Sequence, residues 1–389
     1  MKPVTLGIIG IGNMGHGHIK NIAAQRVQGC TLAAVCDIDP AAYADIDPDC
    51  PRFTCNREMI RSGLVEAVLI ATPHYDHTTI GIDALANGLH VMVEKPISVH
   101  RADAERLIAA YKSRPRRKQV FAAMFNQRTN PRYQKIRHLV RSGELGEIRR
   151  VNWIITNWFR TDAYYASGGW RATWAGEGGG VLLNQCPHQL DLLQWMLGMP
   201  SRVQAHCRFG QWHDIEVEDD VTAHLTFANG ASGVFVTTTG ESPGTNRLEI
   251  IGERGKLVEE DGRLLFTRNE QEMTAYSRSA STGFGGPAVW NCDIPVTGHG
   301  GGHSEILTNF CQAIRGKAKL IAPAEEGIHS VELANAMLLS TWQNKAVDLP
   351  LSGRVYERLL KSRIAEADQQ PRRRKRAVKR NRAGFDSSF

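Results

Sequence analysis

One short stretch restricts what this chain can fold into more than any other: Gly7-Ile-Ile-Gly10-Ile-Gly12-Asn13-Met14-Gly15. It follows an apolar run, Val4–Ile9, that reads as a buried parallel strand, and it precedes a helix-like segment, His18–Gln25. Between a strand and a helix, each glycine of GxGxxG has its own task. Gly10 permits the tight turn, Gly12 lets the backbone approach a pyrophosphate, and Gly15 lets helix and strand pack closely. The helix start, with Asn13 and Met14 in its first turn, then offers N–H groups and a positive dipole to phosphates. Thr31–Cys36 forms the next strand and ends at Asp37, 22 residues after Gly15 and near the ~20 expected of the acid that binds the ribose hydroxyls. That carboxylate repels a 2′-phosphate, Asp39 reinforces it, and no Lys or Arg follows nearby, so the cofactor expected is NAD.

The same rhythm continues. Val65–Ala71, His90–Val93 and Gln119–Met124 read as strands, with helices around Glu58–Ser62, Asp76–Asn87 and Ala102–Lys112. Alternation at this spacing predicts a doubly wound parallel sheet, an α/β Rossmann domain over residues 1–125. After Asn126 the pattern changes. Pro131–Ser142 is amphipathic, and Ile148–Trp158, Val203–Cys207, Asp220–Phe227, Ser232–Thr239, Leu248–Ile251, Lys256–Glu259 and Leu264–Thr267 are strand-like runs. Gly, Asn-Gly or Asp-Gly turns separate several of them. With helices at Glu305–Arg315 and Glu325–Asn344, residues 126–361 predict an α+β domain with a large, mostly antiparallel open sheet. Residues 362–389 read as a basic, disordered tail.

Charge and cysteine usage narrow the partners. The formal net charge of +7 resides in residues 371–389, which hold eight Lys/Arg and one acid; the rest of the chain is balanced. The body therefore predicts no nucleic-acid partner, and the tail reads as a solvated extension. The eight cysteines form no CxxC pair, so neither a structural metal nor a disulfide framework is expected. No apolar run reaches the ~18–20 residues of a membrane span, and Met1-Lys2-Pro3 shows no signal-peptide layout. A cytoplasmic protein is expected.

Two further motifs carry a resemblance. Glu94-Lys95-Pro96 directly follows the His90–Val93 strand, and Gly178-Gly-Gly-Val-Leu-Leu-Asn184-Gln-Cys-Pro-His188-Gln-Leu-Asp191 lies in the second domain. Together they resemble the signatures of the Gfo/Idh/MocA oxidoreductases, and the likeness runs from residue 4 to about 350. The resemblance implies hydride transfer between nicotinamide and a secondary alcohol of a sugar, glycoside or cyclitol, and a homodimer or homotetramer formed through the open sheet. It assigns Lys95 to the developing alkoxide and His188 to the proton, alone or shared with Lys95, roles that suit a cation close to the oxygen and an imidazole. Asn184 stands where the family commonly has Asp, which moves proton transfer onto His188 and Lys95. Asn184, His188 and Asp191 have the spacing of one helical face. Asp191 reads equally as a structural acceptor.

Further residues are expected at the site by position. Thr72, Pro73, His74 and His77 follow the third predicted strand, where the family lines its cofactor crevice; His77 either contacts the cofactor or caps a helix. Glu94 and the Trp170-Arg171 loop are expected on the nicotinamide side. Asn126 and Arg128 are expected to face the substrate. Tyr164 reads as a substrate contact or as loop packing. His299 and His303 have a metal-like spacing but no acidic or Cys partner, so a substrate-lining or turn role is expected. The leading expectation is oxidation at a ring position such as C3 of a hexopyranosyl group. An NAD-retaining glycoside hydrolase and a non-enzymatic dinucleotide sensor stay open.

Overall fold

The computed structural model describes residues 2–369. Six strands form the first sheet: β1 (Val4–Ile9), β2 (Cys30–Cys36), β3 (Arg52–Phe53), β4 (Ala67–Ile70), β5 (His90–Val93) and β6 (Phe121–Ala123). They are all parallel in the order β3-β2-β1-β4-β5-β6. Helices α1 (Asn13–Ala23), α2 (Asn56–Arg61), α3 (His74–Ala86) and α4 (Arg101–Lys112) connect them. Every residue of β4 is wholly buried, as the unbroken apolar run Ala-Val-Leu-Ile requires when helices cover both faces. The strand order reverses between β1 and β4, and the carboxyl ends of these two strands frame the crevice in which such sheets bind ligands. The expected Rossmann sheet is thus observed, with the two-residue β3 added at its edge.

The second part contains α5 (Pro131–Arg141), β7 (Ile148–Ile155), α6 (Asp162–Ala166), α7 (Pro187–Leu197), β8 (Arg202–Phe209), β9 (Glu218–Thr226), β10 (Ser232–Thr238), β11 (Asn246–Gly252), β12 (Gly255–Glu260) and β13 (Arg263–Asn269). The remaining elements are α8 (Met273–Ser279), β14 (Val289–Asp293), α9 (Gly302–Ile314), α10 (Gly327–Gln343), β15 (Val347–Asp348) and α11 (Gly353–Gln369). The nine strands run in the order β14-β13-β12-β11-β7-β10-β9-β8-β15, antiparallel except for the β7–β10 pair. Alternation in β9 sends Val221, Ala223 and Leu225 into the core. Ile154 and Leu265 remain partly exposed. Helix α10, buried along most of its length, packs against β8 and α7.

Two larger features also depart from the sequence expectation. Residues 362–369 are not a disordered tail but the last turns of α11, whose Tyr356 and Leu360 are buried; the rest of the basic segment lies outside the described residues. The first core is also not built from the first domain alone. Ile306, Leu307, Phe310 and Cys311 of α9, together with Val331 of α10, join the apolar cluster of the parallel sheet. Among the described residues no helix is long and apolar enough to cross a membrane.

Candidate active site

The glycine turn is built to leave space at one point and to close it at two others. Gly10 has φ +91°, and a Cβ there would lie 2.7 Å from the Ala71 backbone; at Gly15 it would lie 2.0 Å from the Gly10 carbonyl oxygen. At Gly12 the same atom would meet nothing within 4 Å, so this residue faces open space. Gly12 precedes α1 and supplies no side-chain cap, while Asn13 and Met14 form the first turn. Asp37, at the end of β2, accepts from the Ile11 N–H at 2.6 Å and from the Asp39 N–H at 2.9 Å, which fixes its carboxylate beside the turn. Across the crevice the Thr72 hydroxyl is buried with no protein partner. An open cradle, a helix start, an anchored acid and an unmatched hydroxyl fit the phosphates and ribose of a dinucleotide.

Next to this cradle, β5 delivers Glu94 and Lys95, joined to Pro96 by a cis peptide bond. Glu94 is buried and accepts from Nε2 of His18 on α1 at 2.7 Å. Burial alone raises its pKa, but the His18 bond and the cations nearby outweigh it and bring it down to about 2. The Lys95 ammonium donates to the Asn184 carbonyl at 2.9 Å, reaching from the first domain into the second. Burial lowers its pKa, opposed by Glu94 and Glu177.

His188 lies in the first turn of α7, is 1% exposed and meets the Phe125 ring edge-on at 6.2 Å. Burial, then the charge of Lys95 and proximity to His303, hold its pKa well below the ordinary value. It is therefore a neutral imidazole, able to accept a proton. His303, in the first turn of α9, packs on His18 at 5.6 Å, and its Nδ1 accepts from Asn126 Nδ2 at 3.3 Å. Burial brings it to about 4.

The wall opposite α7 is a loop. Arg171 donates to the Tyr164 hydroxyl at 2.8 Å and lies over the Tyr164 and Trp170 rings. Tyr164 in turn donates to Asn184 Oδ1 at 3.3 Å. His74, at the start of α3, donates from Nδ1 to the Glu177 carbonyl at 3.1 Å and packs against Trp170. Lys95, Asn126, Tyr164, Trp170, Arg171, Asn184 and His188 thus belong to one neighbourhood.

Three expectations are corrected, and a fourth residue is placed. Arg128 does not face a substrate: it is 1% exposed, its Nε and Nη2 grip Asp191 at 2.7 and 2.6 Å, and Nη1 bonds Glu326 at 2.5 Å. A guanidinium so committed supports α7 from beneath, and Asp191 is correspondingly structural. His77 does not face the cradle. Its ring nitrogens lie 2.8 Å from the Pro96 carbonyl and 2.9 Å from that of Thr72, clamping two loops together. His299 is exposed, while His303 is the histidine of that pair that packs among Asn126 and His18. Finally, Asn184 is not on the helical face of His188, because α7 begins only at Pro187 and Asn184 sits in the turn before it. Sequence reasoning missed His18, Glu177 and Glu218. The last is wholly buried and accepts from the Gly180 and Leu182 N–H groups at 2.8 and 3.0 Å, shaping that same turn.

A doubly wound sheet with a glycine cradle, beside a lysine and a neutral histidine from two domains, defines a dinucleotide-binding α/β protein equipped for proton transfer. Residues 4–122 match the oxidoreductase family with an NAD-binding Rossmann fold, and residues 133–258 match the GFO/IDH/MocA C-terminal domain. The chain belongs to the Gfo/Idh/MocA oxidoreductase family.

Among curated relatives, inositol 2-dehydrogenase of Corynebacterium glutamicum is 29% identical over 205 residues, 52% of this chain; the match spans only 56% of that relative's length. Inositol 2-dehydrogenase 2 of Paenarthrobacter aurescens is 25% identical over 87% of this chain and 96% of its own. The WlbA dehydrogenase of Bordetella pertussis, solved with NADH and UDP-GlcNAcA, superposes with a TM-score of 0.75 at 25% identity, covering 90% of this chain and 100% of that one.

Proposed function

We propose that this chain is an NAD-dependent dehydrogenase that oxidises a secondary alcohol of a sugar, glycoside or cyclitol, with C3 of a hexopyranosyl group as the position favoured. One observation carries the reading: the Lys95 ammonium reaches from the first domain to the Asn184 carbonyl at 2.9 Å, in the turn that runs into the buried His188, so a cation and a neutral imidazole converge beside the dinucleotide cradle. The named activities of the inositol 2-dehydrogenase relatives support the substrate class. Gly10, Gly12 and Gly15 with the first turn of α1 hold the pyrophosphate, and Asp37 selects NAD by accepting from ribose hydroxyls and repelling a 2′-phosphate. Bound there, NAD supplies the hydride acceptor. The protein handles the proton. Neutral His188 takes it from the substrate hydroxyl at a ring nitrogen, and the Lys95 ammonium stabilises the alkoxide oxygen as it forms. Glu94, fixed by His18, sustains the lysine charge against burial. Trp170 and Tyr164 offer aromatic surface to the sugar ring. The open face of the nine-stranded sheet is where we place contact with a second copy.

The test is NADH formation by the purified protein with myo-inositol, levoglucosan and a set of methyl glycosides. Lys95→Ala and His188→Ala are each expected to lose roughly 10²–10⁴ in kcat while still binding NADH. Unchanged turnover in either variant rejects the mechanism. Release of reducing sugar without net NADH rejects the dehydrogenase assignment in favour of hydrolysis.

A further inference from the structure

Glu177 is 2% exposed and sits where three elements of the site meet. Its Oε2 accepts from the Ala172 N–H at 2.6 Å; its Oε1 accepts from Asn184 Nδ2 and lies 3.7 Å from Arg171 Nη1. Its own carbonyl holds His74. Nothing in the proton-transfer scheme requires a second buried acid here, and burial raises its pKa.

The consequence falls on Asn184. An amide that gives its NH₂ to a carboxylate has only one way to face. Its carbonyl, Oδ1, turns the other way, toward Tyr164 and Gln185, each at 3.3 Å. Both bonds are near the long limit, where a hydroxyl donor to a carbonyl settles near about 2.8 Å. The backbone carbonyl of Asn184 meanwhile carries Lys95. Between residues 181 and 190 Asn184 alone is not buried. The residue therefore holds the lysine with its backbone carbonyl and turns its side-chain oxygen away from Glu177, toward Tyr164 and Gln185.

We infer that Glu177 is a positioning and specificity residue: by holding the Asn184 amide in one orientation it makes Asn184 an acceptor, so that the site selects a substrate hydroxyl that donates to Oδ1. This substrate role rests on the dehydrogenase reading above.

The Ala172 N–H makes the idea sharply testable. In Glu177→Gln the new side chain must direct its oxygen to that N–H, leaving its NH₂ toward Asn184. Asn184 must then flip, present Oδ1 to Gln and turn its own NH₂ toward the substrate, so an acceptor becomes a donor. Adding Asn184→Asp repairs this, because a carboxylate accepts from both sides. The double variant exchanges amide and carboxylate but keeps the outward-facing acceptor.

Two measurements separate the geometry from the activity. With ¹⁵N-asparagine labelling and NADH bound, the wild type is expected to show one downfield, slowly exchanging side-chain amide, assigned by its absence in Asn184→Asp. Glu177→Gln should lose that signature. Its absence from the wild type overturns the inference whatever the enzyme oxidises. In steady-state oxidation of whichever of myo-inositol, levoglucosan or the methyl glycosides the wild type turns over, Glu177→Gln should lose about 10- to 100-fold in kcat/KM, as expected when a donor opposes a donor. The Kd for NADH should stay within about twofold, and Glu177→Gln/Asn184→Asp should recover most of the loss. Asn184→Asp alone sets two carboxylates face to face, so its kcat/KM should fall as pH rises. No recovery in the double variant, with NADH still bound, reduces Glu177 to scaffolding and overturns the inference. An intact amide signature without wild-type turnover of any of these compounds refutes the dehydrogenase reading, and the substrate role of the pair falls with it.

Discussion

Glu218 offers the most quantitative check on this structure. It is 0% exposed, and its Oε1 is the acceptor for two backbone N–H groups of the turn that leads to Asn184. Burial is the largest influence on it and lifts its pKa from 4.5 to about 7, despite those N–H bonds. The unfolded chain releases this proton near the ordinary value, whereas the folded protein keeps it until about pH 7. The group's contribution to stability is therefore complete below pH 4.5, declines as pH rises through this window, and is flat above it. A rise of this size amounts to about 3 kcal/mol. Glu218→Gln keeps a carbonyl acceptor for both N–H groups and cannot ionise. Its stability relative to wild type should therefore improve by about 3 kcal/mol between about pH 4.5 and pH 8, whatever constant offset the buried amide introduces. Urea unfolding followed by far-ultraviolet circular dichroism at several pH values gives that difference directly, and titrating groups distant from Glu218 cancel. A flat difference, or one that moves against glutamine as pH rises, would falsify the picture of a neutral buried acid.

Three other substitutions test the frame of the site. Gly15→Ala drives a Cβ into the Gly10 carbonyl and should cost about 1–3 kcal/mol of stability, whereas Gly12→Ala meets open space and should leave urea unfolding unchanged while weakening NADH binding tenfold or more, about 1.4 kcal/mol; a Gly12→Ala protein that binds NADH normally would remove the phosphates from this cradle. Arg128→Ala strands Asp191 in the core and should cost about 3–5 kcal/mol, with the Arg128→Ala/Asp191→Ala pair losing less than the sum of its parts; a raised KM with unaltered unfolding would instead return Arg128 to the substrate.

What could be read from the sequence was whatever local chain grammar encodes. Gly10, Gly12, Gly15 and Asp37 were legible because the turn, the helix start and the strand end lie within one βαβ unit. Lys95 and His188 were legible through short motifs beside them. His18 and Glu218 were not, because what matters about them is a partner far along the chain, Glu94 for the first and Gly180 and Leu182 for the second; Glu177 was not, because its partners Ala172 and Asn184 are joined by an irregular turn with no periodic pattern. Asn184 shows how spacing misleads. Its distance from His188 suits a helix, but Pro187 starts that helix three residues later. Arg128 was read by its place after a strand, and only packing reveals that Asp191 and Glu326 claim it. The strand pattern survived into most of the second sheet because alternation is local; β15 was missed because two residues carry no pattern, and β14 because its Val-Trp-Asn-Cys-Asp run does not alternate cleanly.

The return of α9 and α10 to the first sheet also bears on how the protein is made. Synthesis releases β6 once residue 123 has passed, yet the cluster around that sheet is closed only by Phe310, Cys311 and Val331. Roughly 200 further residues must be translated in between, on the order of 10–40 s at ribosomal speed, with that side of the apolar sheet uncovered. The nascent cofactor half thus depends on the far end of its own polypeptide, and a fragment cut near residue 125 would keep that uncovered side permanently. His303 travels on the same helix as Phe310, so the segment that closes the core also delivers the last imidazole of the site.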